Sequence, residues 1–317
     1  MKPKYKPNVP IAIFCYNRPD LLEQILAQIE KLHVSKLFVI SDGPSPDKQG
    51  DIVKVNECRK LISNLRSVEN IVRVYREVNL GIYKNITEGI EFVFSQTDKC
   101  IFLEDDTLPD VTFFRFCDEM LTKYADNQKI MMIQGAPTMM PTIMKRITKD
   151  SYFFSSYPSI AWGWATWRDK WLKYYDGELK NWPLETQQQR LIGSFGSRRE
   201  YRFWARQWDR VKAAMHTWDY QIMFAFFSYG LFAVVPKDNL VKNIGFNRPD
   251  ATHTSGPTNW ERLPLEQSVF PLKHPIKLTE NFKYDKLRQN YVAPSVRRRA
   301  LQKLKGLLRS VHVKKWR

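Results

Sequence analysis

Three adjacent carboxylates, Glu104, Asp105 and Asp106, follow an apolar run in the segment "IFLEDDTLPD" (101–110). Like charges side by side repel, so such a group at the end of a buried segment calls for a positive partner. A hard divalent cation, Mn2+ or Mg2+, suits the donor set. It takes oxygen ligands, keeps several waters, and is commonly held by one or two carboxylates together with phosphate oxygens. Such a cation would neutralise a nucleotide diphosphate as it departs. A plainer reading has Asp105 or Asp106 capping the helix that begins after Pro109, with its neighbours solvated. Asp219, in "TWDYQ" (217–221) ahead of an apolar helix, is the carboxylate best placed to take a proton from an attacking hydroxyl. It is equally suited to cap that helix. Asp209, in "RQWDRV", reads as a solvated helix charge. His253, in "ATHTSG" (251–256), is one of five histidines. A neutral imidazole there can ligate a metal or contact a diphosphate, and a loop histidine without a ligand is the competing reading.

These groups need elements to position them, and the first half of the chain supplies a regular series. "VPIAIFC" (9–15) predicts a buried strand, and "PDLLEQILAQIEKLH" (19–33) a helix with Pro19 in its first turn. "KLFVIS" (36–41), "NIVRVYRE" (70–77), "KCIFLE" (99–104) and "KIMMIQG" (129–135) read as further strands, with helices near 50–66, 81–96 and 111–124. Strands alternating with amphipathic helices imply βαβ units and a mostly parallel open sheet flanked by helices. Ligands of such sheets bind beyond the carboxyl ends of the strands. Those ends are polar here: Tyr16-Asn17-Arg18, Ser41-Asp42-Gly43, Glu77-Val78-Asn79 and Glu104-Asp105-Asp106. No GxGxxG follows a strand and no GxxxxGK[ST] occurs, which argues against dinucleotide and P-loop folds.

After about residue 150 the regular alternation ends, and the pattern predicts mainly helices until "GLFAVVP" (230–236). Eight of the ten tryptophans lie between Trp162 and Trp218, so this half is expected to bury an aromatic core. With no Gly/Ser linker, the two halves are expected to share one core. The divisions are 1–135, 136–290 and a basic tail, 291–317. The four cysteines show no ligand spacing and read as buried thiols. The net charge of +17 favours polyanionic partners. In the tail, Leu301, Leu304, Leu307, Leu308 and Val311 recur at helical spacing among Lys and Arg. This predicts an amphipathic helix on an anionic membrane surface, with a solvated basic tail as the alternative. No apolar stretch is long enough to cross a membrane, and "MKPKYKPNVP" has no apolar leader core. A cytoplasmic protein, peripheral on the inner membrane face, is the expectation.

The acidic triplet ending a strand about a hundred residues into the chain resembles the metal motif of GT-A-fold glycosyltransferases. The segments "SIAWGWATWRDKW" (159–171), "TWDYQIMFA" (217–225) and "NLVKNIGFNRPDATHT" (239–254) add to it. Together they resemble bacterial family-2-like glycosyltransferases related to N-acetylglucosaminyltransferase I, over roughly residues 9 to 255. The resemblance implies a GT-A-type α/β fold with a nucleotide-sugar half and a Trp-rich acceptor half. It places the metal at Asp106, the donor ribose at Asp105 and the sugar at Glu104. Tyr16, Asn17, Arg18 and Asp42 would hold the base, Asn79 and Gly81 would line the donor pocket, and Asp219 would be the base of an inverting transfer. Ser41-Asp42-Gly43 departs from the paired aspartates common in that family, and a plain turn is the other reading of both Asp42-Gly43 and Asn79-Leu80-Gly81. Trp162 or Trp164 could stack on a sugar ring, with Gly163 letting the chain pass close to it. The implied partners are a nucleotide-diphosphate sugar, foremost a UDP-sugar, and a glycan or lipid-linked acceptor, in polysaccharide biosynthesis. Two other readings are a nucleotidyltransferase of similar fold and a non-catalytic basic module for nucleic acid or anionic membrane. The acidic rim, repelling phosphate, argues against nucleic acid.

Overall fold

β1 (Ile11–Cys15) is apolar at every position, and its side chains divide by parity. Ile11, Ile13 and Cys15 enter one core, with α1 (Pro19–Ile29) and α4 (Val111–Lys123) packed on it. Ala12 and Phe14 enter a second, under α3 (Gly81–Phe94). A strand buried on both faces belongs in the middle of a sheet, and β1 lies between β2 (Val34–Ser41) and β4 (Lys99–Glu104), parallel to both. The computed structural model describes residues 4–159, 162–185, 191, 195, 197–250 and 260–292.

The other elements are α2 (Asp51–Ser63), β3 (Val68–Tyr75), β5 (Thr107–Pro109), β6 (Ile130–Gln134), α5 (Pro141–Ile147), β7 (Tyr152–Ser155), β8 (Trp164–Trp167), α6 (Arg168–Tyr174), α7 (Arg198–Ala214), α8 (Asp219–Tyr229), β9 (Phe232–Pro236), β10 (Val241–Asn243) and α9 (Phe282–Val292). The eight-stranded sheet has the order β3-β2-β1-β4-β8-β6-β9-β7. Six strands run one way, and β7 and β8 run against their neighbours. The fold is therefore α/β with a mostly parallel sheet flanked by helices. The expectation that helices dominate after residue 150 fails at β7 and β8. β8 is inserted between β4 and β6, pairing Phe102 with Trp164 and Gln134 with Trp164.

The tryptophan-rich stretch builds core. Trp164 is stacked on Phe102 (centroids 4.5 Å apart), Trp171 (5.7 Å) and Trp218 (5.5 Å). α8 is buried nearly all round, as its sequence "DYQIMFAFFSY" demands. Ile222, Ala225 and Phe226 face the sheet, while Met223, Phe224 and Phe227 join Trp182, Trp204 and Trp208 in a third core. Asp209 is an exposed helix charge, as expected, and also accepts a hydrogen bond from Trp182 Nε1 (2.9 Å) at the edge of that core. All four cysteines are free and buried.

Lys170 is fully buried. Its Nζ donates to Tyr124 O (2.8 Å), the carbonyl at the end of α4, and lies 3.3 Å from the centroid of the Trp167 ring. Burial lowers its pKa to about 8, outweighing the nearby Asp169 and Asp126. The unfolded chain, with an ordinary lysine pKa near 10.5, then binds more protons than the native one between the two values. Stability therefore rises with pH in that window, by about 1.4 kcal/mol per pH unit at most. Thermal melts between pH 8 and 9.5 are expected to show this rise, and Lys170→Met to flatten it. An identical slope in both proteins removes Lys170 as its source.

Candidate active site

The carboxyl ends of the parallel strands open on one rim, and the chain brings its polar strand ends together there. After β4 the chain turns tightly back into β5. Thr107 Oγ1 fixes this turn, accepting from Glu104 N (2.8 Å) and donating to Glu104 O (2.9 Å). The three acids thus sit on a clamped turn. They cap no helix: Asp110 does that for α4, accepting from Thr112 N (2.8 Å).

From β1, Tyr16 N donates to Asp105 Oδ2 (3.1 Å), and Arg18 Nη1 lies 2.9 Å from Asp106 Oδ2 and 3.6 Å from Asp105 Oδ1. From β10, which pairs antiparallel with β5, Asn243 Nδ2 donates to Asp106 Oδ1 (3.2 Å) and Ile244 N to Asp106 O (2.8 Å). Gly245 lies so close that a Cβ there would come within 2.5 Å of Asp106 Oδ2. Glu104 Oε1 is buried and has no hydrogen-bond partner among the described residues. Its side chain reaches a narrow crevice among Phe14, Ile86, Phe102, Trp164 and Trp218.

Burial and mutual repulsion govern the charges. Glu104 is held well above the usual carboxylate range, first by burial, then by Asp106, Asp105 and Asp219. Burial pushes Asp105 up to about 7 against the opposing pull of Arg18. Asp106 is raised by burial, with Arg18 and Asn243 opposing. Burial disfavours the Arg18 charge, but Asp105, Asp106 and Asp250 together hold its pKa above the ordinary value. Three carboxyl groups therefore crowd one guanidinium, and a bound cation would favour the charged form of all three.

Asp219 is the first residue of α8, with Trp218 as the cap, so it is not the capping carboxylate. Its Oδ1 accepts from Thr217 Oγ1 and from Tyr220 N (3.1 Å). Trp218, which precedes it, lines the same crevice as Glu104, and the Asp219 charge adds to those that raise the Glu104 pKa.

Asp42 is 4% exposed. Its carboxylate accepts from the backbone N–H groups of Gly43 (2.9 Å), Leu80 (2.8 Å) and Gly81 (3.1 Å), and from Asn79 Nδ2 (3.1 Å). Asp42, Asn79 and Gly81 thus form one clamp joining two strand-end loops. Tyr16 and Asn17 are tied in turn to Asp51, each donating to its carboxylate, which also accepts from Ser45 N (2.7 Å). Trp164 lies in the core, 3% exposed, with its ring stacked among aromatics as described above. Trp162 meets Phe246 and Trp260 edge-on, and Gly163 between the two tryptophans has φ +62°. That left-handed backbone, and Val241 and Leu103 close against its Cα, exclude larger residues there. His253 lies outside the described residues.

Sequence reasoning missed Asp51, Asn243, Gly245 and Arg248. Arg248 ties the segment after β10 to α1, donating to Asp20 (2.6 Å) and Asp250 (2.9 Å). Asn243 could be found only from the β5–β10 register, which no spacing in the sequence reveals. Among the described residues no group of three or more His, Cys, Asp or Glu side chains converges on a metal position. A cation held by one or two carboxylates and by ligand oxygens needs no such group. The surplus of carboxylates over Arg18, and the unpartnered Glu104 oxygen, fit one.

Fold and site define a class: an open α/β sheet with an acidic turn at the carboxyl end of a central strand. No protein-family model matches the chain, and no curated protein matches it. Three solved structures are similar in outline. One is the mannosyltransferase PcManGT from Pyrobaculum calidifontis in complex with GDP-Man and Mn2+, at 13% identity and TM-score 0.34, covering 72% of each chain. Another is GalNAc-T7 with UDP, GalNAc and Mn2+, at 12% identity and TM-score 0.44, covering 73% of this chain and 43% of that one. The third is an active-site mutant, Q189E, of LgtC, at 14% identity and TM-score 0.34, covering 88% of this chain and 95% of that one. At these identities and TM-scores the likenesses assign neither activity nor ligand.

Proposed function

We propose that the protein is a metal-dependent glycosyltransferase of GT-A type. It moves a sugar from a nucleotide-diphosphate donor, foremost a UDP-sugar, to a glycan or lipid-linked acceptor in bacterial surface polysaccharide synthesis, with inversion. The observation that carries this reading is the clamped turn of three carboxyl groups around one guanidinium, with Trp218, the residue before Asp219, lining the crevice that Glu104 reaches. Asp106 would hold Mn2+ or Mg2+, with His253 a further ligand, Asp105 toward the donor ribose and Glu104 toward the sugar, and the ion would neutralise the departing diphosphate.

The chain's own residues do the rest. Arg18 offers a guanidinium to the diphosphate oxygens. The loops clamped by Asp42 and Asp51 carry Tyr16, Asn17, Asn79 and Gly81 to the donor base and ribose. Asp219 takes the proton of the acceptor hydroxyl as its oxygen bonds to the anomeric carbon. The bond from that carbon to the diphosphate breaks, and the diphosphate leaves with the electron pair. Trp162 is the ring left for a sugar, since Trp164 is stacked within the core. Among the described residues no helix is long and apolar enough to cross a membrane. The basic tail, which lies outside the described residues, is assigned to the anionic inner membrane face.

Calorimetric titration with a nucleoside diphosphate, with and without Mn2+, tests this. Metal is expected to strengthen binding about tenfold or more, and Asp106→Ala to remove the metal-dependent part. Equal binding without metal overturns the reading. Salt-sensitive retention on DNA, unaffected by Asp106→Ala, favours the non-catalytic basic module instead.

A further inference from the structure

The two faces of α9 differ sharply. Inward, Tyr284, Asp285 and Arg288 are buried. Tyr284 Oη donates to Pro137 O (2.9 Å), Asp285 accepts from Ser156 N (3.0 Å) and Ser156 Oγ (2.7 Å), and Arg288 Nη1 donates to Thr138 Oγ1 (3.0 Å). These bonds fix the helix on the body of the protein in one rotation. Outward, Phe282, Lys283, Lys286, Leu287 and Tyr291 form one stripe at helical spacing, with no acid in it. Phe282 is 72% exposed, Leu287 37% and Tyr291 40%. Among the described residues neither Lys283 nor Lys286 pairs with a carboxylate.

The stripe continues on both sides. Asn281 Nδ2 donates to Ile147 O (3.2 Å), which sets the start of α9 beside the end of α5 and its exposed Lys145 and Arg146. Ile276 is wholly exposed next to exposed Lys277, and Glu280 is the one exposed acid between residues 273 and 292. Directly after α9 the sequence carries Arg297, Arg298 and Arg299.

Aromatic and aliphatic side chains interleaved with unpaired lysines suit the interface of an anionic bilayer. The rings and Leu enter the headgroup region while the lysine stems extend along the apolar surface to anionic groups. A protein partner would have to cover the same stripe with acids, and nothing on the surface selects one. We propose that the outward face of α9 is a docking surface for an anionic lipid bilayer, independent of the tail.

The geometry also sets an orientation. Tyr291 is stacked on Trp260 (4.9 Å), which meets Trp162 edge-on (5.6 Å) beside the start of β8 and the acidic cleft. A protein seated on α9 keeps this row of rings, and with it the start of β8, near the headgroups, so that the acceptor would be a lipid-linked glycan. This choice of acceptor rests on the glycosyltransferase reading; the seating does not.

The test uses the full chain and co-sedimentation with vesicles of phosphatidylcholine, with or without 30% phosphatidylglycerol. Lys283→Glu/Lys286→Glu is expected to weaken partition onto anionic vesicles at least about tenfold, from roughly fivefold per lysine. Phe282→Ser/Leu287→Ser is expected to weaken it several-fold, including at high salt where charge is screened. Circular dichroism and nucleoside diphosphate binding are expected to match the parent, because all four positions are exposed and distant in the chain from the acidic turn. Parent-like partition of both variants, with release only on truncation after Pro294, overturns the proposal in favour of the tail. A change in solution mass caused by either variant overturns it in favour of a contact between copies. Loss of nucleotide binding in the parent would sink the enzymatic reading and leave the vesicle result standing.

Discussion

The Asp219→Asn protein is expected to lose about 10²–10⁴-fold in kcat for sugar transfer while keeping its affinity for nucleoside diphosphate and Mn2+. The split follows from position. Asp219 Oδ1 is held by Thr217 Oγ1 and Tyr220 N, and among the described residues no hydrogen bond engages its other oxygen. Asn is isosteric and still accepts those bonds through its carbonyl, so α8 should start in the same place. What it loses is the capacity to take a proton. Steady-state rates with a saturating donor, alongside calorimetry, read the two quantities separately. A rate within twofold of the parent would remove Asp219 as the base. A matching loss of donor affinity would make it a binding residue instead.

The first half of the fold was legible because local pattern and tertiary role agree. Helix 19–33 and strand 36–41, expected from spacing, appear as α1 (Pro19–Ile29) and β2 (Val34–Ser41), and 99–104 as β4 (Lys99–Glu104). Each is a βαβ component whose apolar positions face a core on a fixed period. β7 and β8 were not legible. "YFFS" and "WATW" are four residues long and buried at every position, so they show no polar–apolar alternation. What makes β8 a strand is the pair of neighbours that flank it, and neither is close in sequence. The same holds at the site. The acidic turn is a local feature of the sequence, and so is its place at a strand end. Asn243, Gly245 and Asp51 act through partners 34 to 139 residues away, and only the folded chain reveals them. The triplet called for a positive partner, and a cation was the expected one. The fold also supplies its own, Arg18, from 88 residues upstream.

That internal counter-charge makes Arg18→Met the second large effect. In metal-free buffer near pH 7.5 the variant is expected to be less stable by about 3 kcal/mol, since removing one member of a buried ionic group leaves the others uncompensated. Arg18 and its partners Asp105 and Asp106 are each no more than 15% exposed in their side chains, so solvent screening offsets little of this. The pH dependence has a definite sign. Asp105, pushed up to about 7 by burial, binds a proton more tightly in the native protein than in the unfolded chain. Stability is therefore lost as pH rises from about 4 towards 7. Without Arg18 to oppose it, that loss is steeper, so the gap between variant and parent widens from pH 5 to pH 8. Mn2+ should reverse the order of effects. With the guanidinium gone from between the carboxylates, the variant is expected to bind Mn2+ without nucleotide about tenfold more tightly than the parent, read from the free-ion paramagnetic resonance signal. Mn2+ should raise its melting temperature by more than the parent's. Nucleoside diphosphate affinity should fall about tenfold in the same protein, because the phosphates lose a charge-assisted partner. Unchanged Mn2+ binding, with a pH-independent difference in stability, would reduce Arg18 to a packing residue and leave the excess acid of the turn without its counter-charge.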